Sequence, residues 1–233
     1  MRATAKGYTL LEMLISISLI GLLMVSLVVA VHVGNKAWQR GEARLLQVHA
    51  EEERSQFMFQ QISSLVPYKV TSANPDMPGD FYILEADANR LSFLSTCGTR
   101  NWSRSGLLLD EYAIVRTRDG YFTLALRETP VPDDKTLLQL LIARQSSDPD
   151  TGKISIVYQP FFLRESDVRL MTSLRAAEFE YLGATATGKA PVWASHWEAR
   201  QDAPYPEAVR IVWLRGNQRE EVIVPIRARF LPK

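Results

Sequence analysis

The 233-residue chain balances 27 Lys and Arg against 26 Asp and Glu, a formal net charge of +1, so no long-range field of one sign argues for nucleic acid or for an acidic substrate. Apolar residues make up 46% and charged residues 23%, the usage of an ordinary globular protein, and the length accommodates one anchor plus one sizeable domain, or two small ones. Cys97 is the single cysteine, which excludes an intramolecular disulfide framework and leaves stability to a hydrophobic core.

The chain opens on a basic leader, with Arg2 and Lys6 ahead of Gly7. Tyr8-Thr9-Leu10-Leu11-Glu12 follows, and then an unbroken apolar run from Met13 to Val33. At ~1.5 Å per residue that run crosses a hydrocarbon core of ~30 Å. It is longer than the apolar part of a secretory signal peptide, and Ala30-Val31-His32 makes a poor small-x-small cleavage site. An uncleaved anchor fits the run but leaves Glu12 unexplained. An acid inside a membrane helix costs roughly 2.5–3.5 kcal/mol at the centre and less near the interface. A positive charge supplied by another subunit would offset it.

Read together, Gly7, Tyr8, Thr9, Leu10 and Glu12 at the head of an apolar run resemble the class III signal of type IV pilins and type II secretion pseudopilins. The resemblance implies that prepilin peptidase cuts between Gly7 and Tyr8 and N-methylates Tyr8, and that Glu12 is the family's glutamate at the fifth mature position. Tyr8 stands where the family usually has phenylalanine, so an aromatic is retained. A residue without a Cβ at Gly7 lets the backbone enter a peptidase cleft closely. Arg2 and Lys6 hold the leader on the cytoplasmic side. The implied organisation is a cleaved leader over 1–7, the membrane-spanning part of a helix over 8–33, its periplasmic part over 34–66, and a periplasmic β-rich domain over 67–233. The implied location is the bacterial inner membrane, crossed once.

The helix is expected to continue past the membrane. From Asn35 to Leu65 there is no proline, and Ala37, Trp38, Gly41, Leu45, Val48, Ser55, Phe59, Ile62 and Val66 form a stripe at helical spacing, interrupted by Glu52. Pro67 ends the pattern. Asn74-Pro75 and Pro78-Gly79 mark turns. Strand-like runs follow at Phe81–Leu84, Leu91–Thr96, Leu107–Arg118, Tyr121–Glu128, Thr136–Arg144 and Ile154–Leu163, with Asp119-Gly120 as a hairpin signal. Further runs lie at Ala177–Leu182, Pro191–Trp197, Ala208–Arg215 and Glu221–Phe230. In the last, alternation from Val222 implies one buried face, and Pro225 points to an edge or a bulge. The fold class is therefore α+β: a long N-terminal helix packed on an antiparallel β domain, in two small sheets because so many strands would twist badly as one.

Catalytic chemistry finds no foothold. His32, His49 and His196 share no metal-ligand spacing with one another or with Cys97, and neither a phosphate-binding glycine loop nor G-x-S-x-G is present. Ser103 and Ser105 beside Arg100 and Arg104 read as a polar loop. Asp148-x-Asp150 has the carboxylate spacing a calcium ion favours but lacks the further acids of an EF-hand loop, and reads as a solvated turn. Trp193, Trp197 and Trp213 are expected mostly in the core, and Cys97 is expected to be buried. No cofactor, catalytic residue, nucleic acid or small-molecule substrate is expected.

The segment Leu170–Leu182, then Trp193 and Trp197, then Pro206 to Ile211, resembles the J-type minor pseudopilin of type II secretion systems. That resemblance implies a non-enzymatic subunit at the tip of a pseudopilus. Its partners would be the I- and K-type minor pseudopilins, the H-type, the major pseudopilin and prepilin peptidase. A W-like minor pilin initiating a type IV pilus, or an anchored periplasmic binding module or enzyme, is the alternative.

Overall fold

The computed structural model describes residues 10–71, 80–98, 106–147, 154–183, 190–199 and 205–226. The chain divides into two units, Met1–Glu53 and Arg54–Lys233. Helix α1 covers Leu10–Ser63. Its stretch Leu10–Glu42 is long and apolar enough to cross a membrane, and every residue along it is exposed.

After α1 come β1 (Lys69–Thr71), β2 (Asp80–Tyr82), β3 (Glu85–Asp87), β4 (Arg90–Ser95), β5 (Leu107–Arg116) and β6 (Phe122–Val131). Helix α2 (Asp134–Leu141) precedes β7 (Ile142–Ser147), β8 (Ile154–Tyr158), β9 (Val168–Leu174), β10 (Ala176–Gly183), β11 (Val192–Ala194), β12 (Ala208–Arg215) and β13 (Gln218–Pro225). The expected α+β layout is present. Two principal sheets, β3-β4-β5-β6-β9 and β11-β10-β12-β13, are accompanied by the ribbons β1-β2 and β7-β8, and all pairings are antiparallel.

Local chemistry explains most of these boundaries. Helix α1 stops three residues before Val66, because Leu65 bridges Ser95 and the Val66 amide donates to Leu94 O at 2.7 Å. Pro67 disfavours helical geometry at that residue. Between β5 and β6 the Gly120 amide donates to Thr117 O at 3.0 Å, and Gly120 sits at φ +86°, where a Cβ is penalised. Pro225 lies on the edge strand β13, as its missing donor requires.

One run is corrected. Thr136–Arg144 is not a single strand: helix α2 occupies its first part and β7 begins only at Ile142. Asp133 is the reason, since its carboxylate accepts from the Thr136 amide at 2.7 Å and caps the helix. Leu137 is then buried and Leu138 packs beside it. Strand β9 lies outside the runs read above as separate strands.

The core has two parts. The larger joins Met58, Ile62 and Leu65 of α1 to Phe93 and Tyr112 of the five-stranded sheet and to Phe179, Tyr181 and Trp213 of the four-stranded sheet. The smaller collects Val70, Ile83, Leu94, Leu109, Val131 and Leu137. The helix stripe is rotated slightly from the expected one. Met58, Gln61, Ile62 and Leu65 are buried, whereas Phe59 is 41% exposed. Trp197 and Trp213 belong to the core, and Trp193 is half-buried beneath the Arg210 guanidinium, 4.4 Å from its ring centre.

Candidate functional site

The first candidate site is the start of the chain. Gly7 and Tyr8 lie outside the described residues, and Glu12 is in the first turn of α1, among exposed Leu10, Leu11, Met13 and Leu14. A carboxylate favours this end of a helix, where backbone N–H groups lack intrahelical partners. The serines of the apolar stretch are reconciled with lipid by local bonds. Ser16 donates to Glu12 O at 2.8 Å, Ser18 to Leu14 O at 2.8 Å and Ser26 to Leu22 O at 2.9 Å. Each hydroxyl is thus satisfied within its own helix, which an apolar solvent demands. The outcome is a helix whose lateral surface is apolar except at Glu12.

Residues 2–28, which contain Gly7, Tyr8 and Glu12, match the prokaryotic N-terminal methylation motif. This is the class III signal of pilin-like proteins. The match supports a type IV pilin-like protein, and with it a structural subunit that meets prepilin peptidase and pilin-like assembly partners. The apolar helix that follows fits a single-pass anchor for such a protein. Among curated proteins none matches the chain.

A second polar constellation sits where the pilin-like helix ends on the five-stranded sheet. Gln61, wholly buried in the last turn of α1, donates through Nε2 to Glu128 Oε1 at 2.7 Å and to Cys97 O at 3.2 Å, while its Oε1 accepts from the Tyr112 hydroxyl. Ser95 also donates to Cys97 O, at 3.0 Å. Both amide ends of Gln61 are thereby used, and the side chain fixes the helix end to β5, β6 and the chain after β4. Asp110 is fully buried, and among the described residues neither of its carboxyl oxygens has a hydrogen-bond partner. Burial, reinforced by the charge of Glu128, pushes its carboxyl up to about 8. Burial likewise holds the Tyr112 phenol protonated and raises the Cys97 thiol, which is half-buried rather than buried.

The remaining expected sites scatter. His32 and His49 are exposed on α1, and His196 Nδ1 lies 2.6 Å from Asp87 Oδ1. Ser103, Ser105, Asp148 and Asp150 lie outside the described residues. Among the described residues no group of three or more His, Cys, Asp or Glu is placed to hold a metal ion. Sequence reasoning passed over Gln61 and Asp110. A signal for each was present: a glutamine three residues after Met58 on the buried stripe, and a lone acid inside Leu107-Leu108-Leu109-Asp110.

Proposed function

We propose that this chain is a minor pseudopilin, a non-enzymatic subunit that helps initiate a type II secretion pseudopilus and occupies its tip. The observation that carries the reading is the methylation motif over residues 2–28, set on an apolar helix that continues towards an α+β unit. In this reading residues 1–7 are removed by prepilin peptidase, Tyr8 becomes the methylated N terminus, and 8–33 span the inner membrane. Residues 34–66 and the β-rich domain 67–233 lie in the periplasm. Glu12 pairs with the N-terminal ammonium of a neighbouring subunit, an attraction far stronger in low dielectric than in water. The pair fixes the axial stagger between subunits. The I- and K-type pseudopilins, and behind them the H-type and the major subunit, are the partners. The resemblance over Leu170–Leu182 and Pro206–Ile211 favours the J-type role.

The deciding experiment is intact mass and N-terminal sequencing of protein from native membranes. The expected product begins at methylated Tyr8, and Gly7→Ala makes the uncut precursor accumulate. A chain that still begins at Met1, or is cut near residue 30, overturns the reading.

A further inference from the structure

One face of the five-stranded sheet carries an unbroken row of charge. Arg90 lies between Glu85 and Glu111, with Nη1 3.1 Å from Glu85 Oε1 and Nη2 3.1 Å from Glu111 Oε1. Arg127 lies between Glu111, at 3.8 Å, and Asp167, to which it donates from Nε at 3.0 Å and Nη2 at 2.8 Å. The carboxylates are sequestered, Glu85 being 5% exposed. Residues 159–166 cross this row outside any strand or helix. They are held chiefly by side chains. Arg90 donates to Gln159 O, and Arg127 donates to Phe162 O at 2.6 Å. The Arg127 guanidinium lies 4.2 Å from the centre of the Phe161 ring, the Arg164 amide donates to Asp167 at 2.7 Å, and Gln159 Nε2 donates to Gln139 O at 2.6 Å.

Glu85 is the exposed flank of this arrangement in electrostatic terms. Glu111 draws on Arg90, Arg127 and Arg164, and Asp167 on Arg127 and Arg164. Glu85 has only a share in Arg90 and one hydroxyl donor, Ser92 at 2.8 Å. It also faces the charges of Asp87, itself bound to His196, and of Glu111. Tyr158, whose hydroxyl donates to Leu84 O at 2.8 Å, covers it from the strap side.

We propose that residues 159–166 form a proton-controlled strap, closed over the charge row while Glu85 is protonated and opening when Glu85 ionises, because lifting it hydrates that carboxylate without breaking a strand pairing. Burial pushes Glu85 up to about 7 in the closed form, from 4.5 when hydrated. The closed form is therefore fully favoured below the hydrated value and loses that advantage as pH rises to about 7. Opening frees Arg90 and Arg127 and releases Phe162, 71% exposed at the strap's crest, so the surface offered to a partner changes with pH.

The test is amide hydrogen exchange on the full-length chain in detergent, with rates corrected for intrinsic pH dependence. Exchange at residues 161–166 is expected to quicken by up to about tenfold per pH unit between about pH 5 and 7 and to level off above, while amides of β5 and β6 do not follow. Glu85→Gln abolishes the rise and leaves the strap protected. Ser92→Ala withdraws a donor to the charged form and moves the levelling to higher pH, a readout available even where Glu85→Gln fails to fold. A flat wild-type profile, an unchanged rise in Glu85→Gln or an unmoved profile in Ser92→Ala overturns the proposal.

Discussion

Asp110 and Glu128 stand directly opposite each other on β5 and β6, two carboxyl side chains in one cross-strand pair. Like charges in that position repel, and Asp110 has no donor among the described residues to soften the contact. Protonation of Asp110 relieves it. With a folded value of about 8 against 3.8 in the unfolded chain, the group favours the folded state fully below pH 3.8 and loses that contribution as pH rises to about 8, by up to about 1.4 kcal/mol per pH unit. Asp110→Asn, which cannot ionise, is expected to raise the midpoint of thermal unfolding at pH 7 and to change it little at pH 4. Equal shifts at both pH values would contradict this account.

Gly183 and Trp197 predict a packing defect. A Cβ built on Gly183 falls 2.3 Å from Trp197 Cζ3 and 2.4 Å from Cη2, and the ring is buried in the larger core. Gly183→Ala should destabilise the fold by about 1–3 kcal/mol, the usual cost of overpacking, read from urea unfolding. Trp197 Nε1 has no hydrogen-bond partner, so Trp197→Phe forfeits no such bond and removes the atoms that the methyl strikes. The double variant should therefore be more stable than the two single losses added together.

Glu12→Val separates anchoring from assembly. The change makes the apolar surface of α1 continuous, so insertion and cleavage are expected to proceed normally. Incorporation with partner subunits, followed by crosslinking in membranes, is expected to fall. Unimpaired incorporation would show that register is set elsewhere.

Leu45 and Trp38 are 62% and 76% exposed on α1, apolar positions seven residues apart on one helix face. Leu45→Arg is expected to weaken association with I- and K-type partners while leaving thermal unfolding of the β-rich unit unchanged. Size-exclusion chromatography with light scattering on the detergent-solubilised mixture measures it. A variant that co-elutes as the wild type does removes this face from the interface.

The sequence carried the secondary structure where one local signal dominated. An apolar run with an acid at its head, a proline after a helix, and Asp-Gly between alternating segments were each sufficient. Thr136–Arg144 misled because its leucines fit either period, and the deciding capping bond comes from Asp133, outside the run. The polar cluster under α1 was illegible for a different reason. Gln61, Cys97, Tyr112 and Glu128 are far apart in the chain, and only the pairing of β5 with β6 and the bridge from Leu65 to Ser95 bring them together. The charge row shares that property, its members coming from β3, β4, β5, β6 and the residue before β9. Glu12 was readable because lipid, unlike a protein core, penalises the residue type wherever the fold places it.

The short turn between β3 and β4 is also where the second sheet is fastened. The Phe179 amide donates to Ala88 O at 2.8 Å, the Trp197 amide to Ala86 O at 2.9 Å, and the Tyr181 hydroxyl lies 2.9 Å from the carbonyl oxygens of both Asp87 and Arg90. Strands made of the last third of the chain thus draw main-chain partners from a five-residue stretch that precedes them by some ninety positions. A subunit threaded across a membrane from its N terminus presents that stretch early, as a template awaiting its complement. The C-terminal sheet cannot detach without stranding buried carbonyls, so the β-rich unit should melt in a single step rather than sheet by sheet.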